Sequence, residues 1–212
     1  MTKKNTPRRR PGRPADPSRR EAIIEPARSV FAAHGYAGSS LDRIARDSQV
    51  KKAGILHHFG SKERLYFAVI ERVLGELSEI ISGMLQDGGS YDERLDTIAL
   101  HLTRYFLRRP DSARLLLRDG VNGGPFMAGE RLKTVEATYA LARAFLRAGV
   151  ASGELRTHDE DAVLSAVVGH LLLLFGARAA SGPLIDLSGD PEEVLRREHA
   201  RFTSLLRSLL SP

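Results

Sequence analysis

From Ala162 to Ala177 the chain reads AVLSAVVGHLLLLFGA, flanked by Asp161 and Arg178 and interrupted by His170. At 16 residues the run falls short of the roughly 20 that a membrane-spanning helix needs. Leu171, Leu172 and Leu173 make it apolar nearly all round, and a helix of that kind must be covered on several sides. The rest of the chain therefore has to supply neighbouring helices.

It does so by periodicity. Long segments place apolar residues at helical spacing, and no alternating strand pattern appears. Near 17–34, Ile23, Ala27, Val30 and Phe31 share a face and Gly35 ends the segment. Pro26 inside it removes one backbone bond and costs about 3 kcal/mol unless the helix kinks or begins late. Short helices are expected at 41–47, with Ser39 or Ser40 as N-cap, and at 51–59. Ser61 caps a longer one running to about Gln86, marked by Val69, Val73, Leu77, Ile80 and Met84; it spans roughly 39 Å at 1.5 Å per residue. Further helices are expected near 91–108, ended by Pro110, and near 111–119, 127–149, 159–180 and 191–210.

Charge is placed unevenly. Residues 1–14 carry +6, residues 15–62 carry +3 and residues 63–212 carry −3, for a total of +6. A basic end on a slightly acidic body points to a polyanion partner, with a solvated tail as the alternative. With no cysteine in 212 residues, disulfides, thiol catalysis and thiolate zinc sites are excluded. MTKKNTPRRRPGRPAD holds no apolar core and reads as no secretory signal. No nucleophile motif, phosphate-binding glycine loop or Glu-x-x-His pair is present, so neither an enzyme nor a bound cofactor is expected.

Residues 38–59 have the makings of a helix-turn-helix. Leu41, Ile44 and Ala45 face inward from the first helix, and Val50, Ile55 and Phe59 from the second. Lys51, Lys52, Ala53, Gly54, His57 and His58 are then left for the outer side. The lysines are pure donors suited to phosphates and base acceptors, and the small residues allow close approach to a groove. Ser39, Ser40 and the first-helix N-terminus offer further donors to a phosphate. Adjacent on one helix, His57 and His58 diverge by about 100° and do not chelate one ion easily, so no metal site is expected.

The stretch YAGSSLDRIARDSQVKKAGILHHFGSKERLYFAVI, with the preceding FAAHGY helix end, resembles the DNA-binding domain of TetR-family transcriptional regulators. The likeness is dense over about 18–75 and beyond that is one of layout. It implies an all-α fold of about nine helices. A basic flexible arm would occupy 1–16, a three-helix DNA-binding domain 17–77, and an effector-binding and dimerisation domain 78–212. Lys51 to His58 fall on the recognition helix, Ser40 on a contact before it, and Lys62 on a phosphate-contacting lysine. Departures occur at Ser48-Gln49, where Ala-Gly is usual, and at Gly54, Leu56 and Pro26. Arg10 and Arg13 in RRRPGRP resemble minor-groove hooks, which suit a narrow A·T groove.

By the same resemblance the partners are double-stranded DNA, a second copy of the chain and a small-molecule effector, in a bacterial cytoplasm and with no membrane. Spacing places a packing seam along Leu195, His199, Phe202, Leu206 and Leu209, and another along Val163, Val167, Leu171 and Leu174. Both are read as the dimer interface. His101, Tyr105, Phe106, Phe126, Tyr139, His170 and Phe175 are the candidates for the effector pocket. An architectural DNA binder without an effector is the alternative.

Overall fold

The structure, a computed structural model, describes residues 17–86, 88–122, 125, 132–177 and 186–212. Nine helices and no strand occur among the described residues: α1 (Pro17–Gly38), α2 (Leu41–Asp47), α3 (Lys52–Phe59), α4 (Lys62–Gln86), α5 (Tyr91–Arg108), α6 (Pro110–Val121), α7 (Leu132–Ala151), α8 (Glu160–Gly176) and α9 (Pro191–Leu210). No helix among them is long and apolar enough to cross a membrane.

Local chemistry sets most boundaries. The Ser40 hydroxyl accepts the Arg43 N–H at 3.3 Å and starts α2, and the Ser61 hydroxyl does the same for α4 with Arg64 at 3.1 Å. Ser90 and Glu93 form a reciprocal capping box on α5. Gly60, at φ 79, turns the chain out of α3 where a side chain would be strained. Pro110 does more than end α5. It is the first residue of α6, a position where its missing N–H is harmless. Asp159 caps α8, which stops at Gly176.

Pro26 neither kinks α1 nor delays its start; the helix runs through it, and its one non-helical residue is Gly35, at φ 70 and ψ 177. Magnitudes explain this. The proline costs about 3 kcal/mol, whereas each fully buried large apolar side chain contributes about 1.5–3 kcal/mol. Ile23, Ile24 and Phe31, around Pro26, are all fully buried.

The turn between α2 and α3 takes a side chain where a glycine is easiest. Gln49 sits at φ 55, a left-handed conformation that costs a non-glycine residue roughly 1–2 kcal/mol. Ser48 supports it by donating to the Ile44 carbonyl at 2.7 Å. Ile44, Ala45, Ile55 and Phe59 are buried, with Leu41 and Val50 packed beside them.

Two apolar cores result. One gathers α1 to α4 with Leu115, Leu116 and Val135; the other joins α5 to α7, α8 and α9 around Phe106, Phe145, Phe175 and Phe202. This second core takes up most of the expected dimer-seam residues within the single chain. Val163, Leu171, Leu174, Leu195, Phe202 and Leu206 are buried within the single chain, because α9 lays its apolar face on α5 and α8 packs on α6. Of the expected seam residues only Val167, His199 and Leu209 stay half-exposed, and the His199 ring is held by the Asp96 carbonyl at 3.1 Å.

Candidate nucleic-acid interface and interior cavity

Burial of Ile55 and Phe59 fixes the rotation of α3 and leaves Lys51, Lys52, Ala53, Leu56 and His57 exposed on one side. Gly54 has nothing within 4 Å of where a Cβ would stand. The chain itself therefore has no steric need for glycine there. Lys52 Nζ lies 2.9 Å from Asp42 Oδ2, with both side chains at least half exposed. Such a pair is worth only about 0–1 kcal/mol, so the ammonium can be given up to a phosphate at little cost. Ser40 is exposed beside the same surface. His58 is half-buried, and its enclosed Nδ1 has no hydrogen-bond partner.

Two expected contacts are placed differently. Ser39 is buried, and its hydroxyl donates to the Gly35 carbonyl near the end of α1, with the Val30 carbonyl 3.3 Å away; it is held inward and has no surface to offer DNA. Lys62 folds back. Its Nζ donates to the carbonyls of Tyr36 at 2.8 Å and Ser39 at 3.0 Å and lies 4.4 Å over the Tyr36 ring. Two of its three donors are thus committed to the α1–α2 connection. Arg10, Arg13 and Phe126 lie outside the described residues.

Sequence reasoning missed two cations here. The Arg20 guanidinium stacks over the Phe59 ring at 5.1 Å, at the end of α3. Arg43 donates to the His34 ring from the first turn of α2. The motif LDRIAR displayed Arg43 openly, whereas nothing local tied Arg20 to α3. Among the described residues, no group of three or more His, Asp or Glu side chains is arranged to hold a metal.

A cavity of about 140 Å³ lies between α4, α5, α6, α7 and α8. Leu77, Ile81, Phe106, Leu171 and Leu172 are among its walls, and Thr138 and Tyr139 are its only polar lining residues among those described. Thr138 is already engaged with Ser78 at 3.0 Å and with the Thr134 carbonyl. Burial raises the Tyr139 pKa above its ordinary value, with Arg143 opposing. A second hollow of about 80 Å³ shares Ile81, Leu102 and Val167 with the first and continues toward Phe145 and Phe202.

Of the expected pocket residues, Phe106 and Tyr139 line this cavity. His101 and Tyr105 do not; they face a separate groove on the outer side of α5. His170 stacks on Phe202 at 5.1 Å in the α8–α9 seam, where burial lowers its pKa despite Glu198 nearby. Phe175 stacks on Phe106 at 5.7 Å, behind the cavity wall.

A buried polar network joins the helix-turn-helix region to the cavity helices. Arg28 of α1 reaches Ser112 of α6 at 3.2 Å and Glu76 of α4 at 3.3 Å. Tyr105 of α5 donates to Glu76 at 2.8 Å, and its oxygen lies 3.0 Å from the Ser112 hydroxyl. Arg109 pairs with Glu25 at 2.7 Å and Glu76 at 3.5 Å. Nearby, Tyr66 donates to the buried Asp119 at 2.6 Å; burial, reinforced by that carboxylate, pushes its hydroxyl pKa far above the ordinary value.

Residues 23–69, from within α1 to the first turns of α4, match the sequence model for bacterial regulatory proteins of the TetR family. This segment is of the TetR type. The helix-turn-helix-type transcriptional repressor AcnR of Corynebacterium glutamicum is 35% identical to this chain over 82 residues, covering 34% of this chain and 44% of AcnR. The Escherichia coli regulator RutR is 27% identical over 144 residues, 67% of this chain and 66% of RutR. The match thus spans less than half of AcnR and just under two thirds of RutR. In architecture, a TetR/AcrR-family regulator from Thermobifida fusca superposes with a TM-score of 0.58 at 25% identity, over 88% of this chain and 97% of that one.

Proposed function

We propose that this chain is a sequence-specific TetR-family transcriptional repressor that seats α3 in the DNA major groove as a dimer and is released by a small apolar effector. The observation that carries the reading is the division of α3. Ile55 and Phe59 lock it into the core, while Lys51, Lys52, Ala53, Leu56 and His57 are exposed on the outer side. A groove-reading helix needs that division: anchored from behind, donors and small residues in front.

The dimer face in this reading is the outer side of α8. That helix is apolar all round, yet Leu173 is 56% exposed, beside half-buried Ala166, Gly169 and Leu172. Small residues there let a partner helix approach closely. A two-fold dimer reads a roughly palindromic site with half-sites about 34 Å, or a multiple of that, apart.

Operator selection from random DNA, repeated across salt, tests the proposal. Palindromic enrichment is the expected result. Binding that ignores sequence and falls steeply with salt would make the chain an architectural binder instead. Lys52→Ala should weaken operator binding and reduce the salt slope by about 1, as loss of one phosphate contact predicts. If affinity and site preference both stayed unchanged, α3 would not be the reading helix.

The cavity defines the effector's chemistry. Among the described residues no charged side chain lines it, and a buried unpaired charge costs several kcal/mol. A neutral apolar ligand hydrogen-bonding to Tyr139 fits, and its carboxylate analogue does not. Titrating the chain with a neutral apolar fluorophore should show saturable uptake, displaced by neutral competitors at least tenfold more effectively than by their carboxylates. Equal displacement by the charged forms would refute the assignment.

A further inference from the structure

We infer that the groove on the outer side of α5, separate from the apolar cavity, is a binding site for a compact multivalent anion carrying two acidic groups. It lies between α4 and the C-terminal half of α5 and is lined by Ile80, His101, Arg104, Tyr105, Arg108 and Arg109. His101, Arg104, Tyr105 and Arg108 follow i, i+3, i+4, i+7 spacing and so share one face of α5.

Three observations converge on an anion. First, neither Arg104 nor Arg108 has an ion-pair or hydrogen-bond partner among the described residues, although Arg28, Arg72, Arg109, Arg143 and Arg207 are all paired. Two like charges one turn apart repel by a few tenths of a kcal/mol, and Arg109 follows directly. A helix C-terminus favours a cation in its last turn, which accounts for Arg108 alone. Arg104 and His101, further back, have no such explanation.

Second, the groups border an open groove of about 280 Å³. At about 30 Å³ per water it holds on the order of nine waters, enough for a diphosphate or a short dicarboxylate. Guanidinium forks match the paired oxygens of either acid.

Third, the back of the groove is wired into the fold. Tyr105 and Arg109 line it, and both also hold carboxylates of the buried network: Tyr105 on Glu76 at 2.8 Å, Arg109 on Glu25 at 2.7 Å. An arriving anion meets Arg109 in competition with Glu25 of α1. The site thus touches the contacts that join α1 to α4 and α5, while the apolar cavity lies behind the other side of α5, at Leu102 and Phe106.

The test is calorimetric titration of the full chain with inorganic pyrophosphate and, separately, with succinate, at an ionic strength held constant with chloride. Saturable binding of one of them is expected, and the one that binds names the acid. Arg104→Gln/Arg108→Gln should weaken it at least tenfold, with the fold verified by circular dichroism, and Arg104→Lys/Arg108→Lys should restore part of it. Lys51→Ala/Lys52→Ala should leave it unchanged. No saturable binding of either anion overturns the proposal. So does retained affinity in the glutamine pair, or a loss confined to the α3 lysine pair, which would place the anion on the DNA-binding face.

Discussion

Glu76→Gln lowers the stability of the chain by about 3 kcal/mol at neutral pH, the low end of what breaking a buried ion pair costs. Arg28 is 2% exposed, and its neutralising partners are Glu76, 14% exposed, and Glu25, 49% exposed. Glutamine preserves shape but leaves the guanidinium with only the more solvated carboxylate. It also withdraws a charge from Arg72 and Arg109. Acid should erase the difference. Burial raises the Glu76 pKa, but the Tyr105 hydroxyl and the Arg28 and Arg109 guanidiniums more than offset this and hold it below its ordinary 4.5. A lowered carboxyl pKa contributes stability that is present above the unfolded value and lost as pH falls through the folded value. Urea midpoints of wild type and variant should therefore differ clearly at pH 7 and converge as the pH falls below 4.5 through the lowered folded value. Equal midpoints at pH 7 would mean that Arg28 is neutralised without Glu76.

Gly176→Ala is the second large effect, about 1–3 kcal/mol of destabilisation by overpacking. A Cβ there would stand 2.9 Å from the Ala113 carbonyl oxygen, 3.0 Å from its carbon and 3.1 Å from the Arg114 nitrogen. These are backbone atoms of α6 and cannot rotate away, so α6 and α8 must separate. Since α6 carries Ser112 and Asp119, which bind Arg28 and Tyr66, separation also loosens the hold on α1 and α4. Thermal unfolding measures the first consequence, and hydrogen exchange in α1 measures the second. A melting temperature unchanged from wild type would show that the crossing yields without strain. Gly54 is the contrast, since a methyl there would meet nothing.

Much of the architecture was legible in the sequence because its causes are local. Apolar spacing marked every helix to within a few residues, and Ser40 and Ser61 act as the caps their positions implied. The order of amphipathic segments, the all-round apolar α8 and the basic surface of α3 all follow from residues close together in the chain.

Only tertiary structure decided the rest, for two physical reasons. A helical period states that a face is apolar but not what covers it. Leu195, Phe202 and Leu206 repeat identically whether they meet α5 of their own chain or a second copy, and here they meet their own. Neighbouring residues on a helix also point about 100° apart. Tyr105 therefore faces the arginine groove while Phe106 lines the cavity, a division that composition does not show. The network of Arg28, Glu76, Tyr105, Arg109 and Ser112 joins positions 48 and 84 residues from Arg28, and such pairings exist only after the helices pack. By itself the sequence determined a helical chain with a TetR-type segment near its N-terminus and a basic surface on α3. The packed fold decided which apolar faces were interior, which polar groups met, and where an apolar cavity and a cationic groove came to lie on opposite sides of α5.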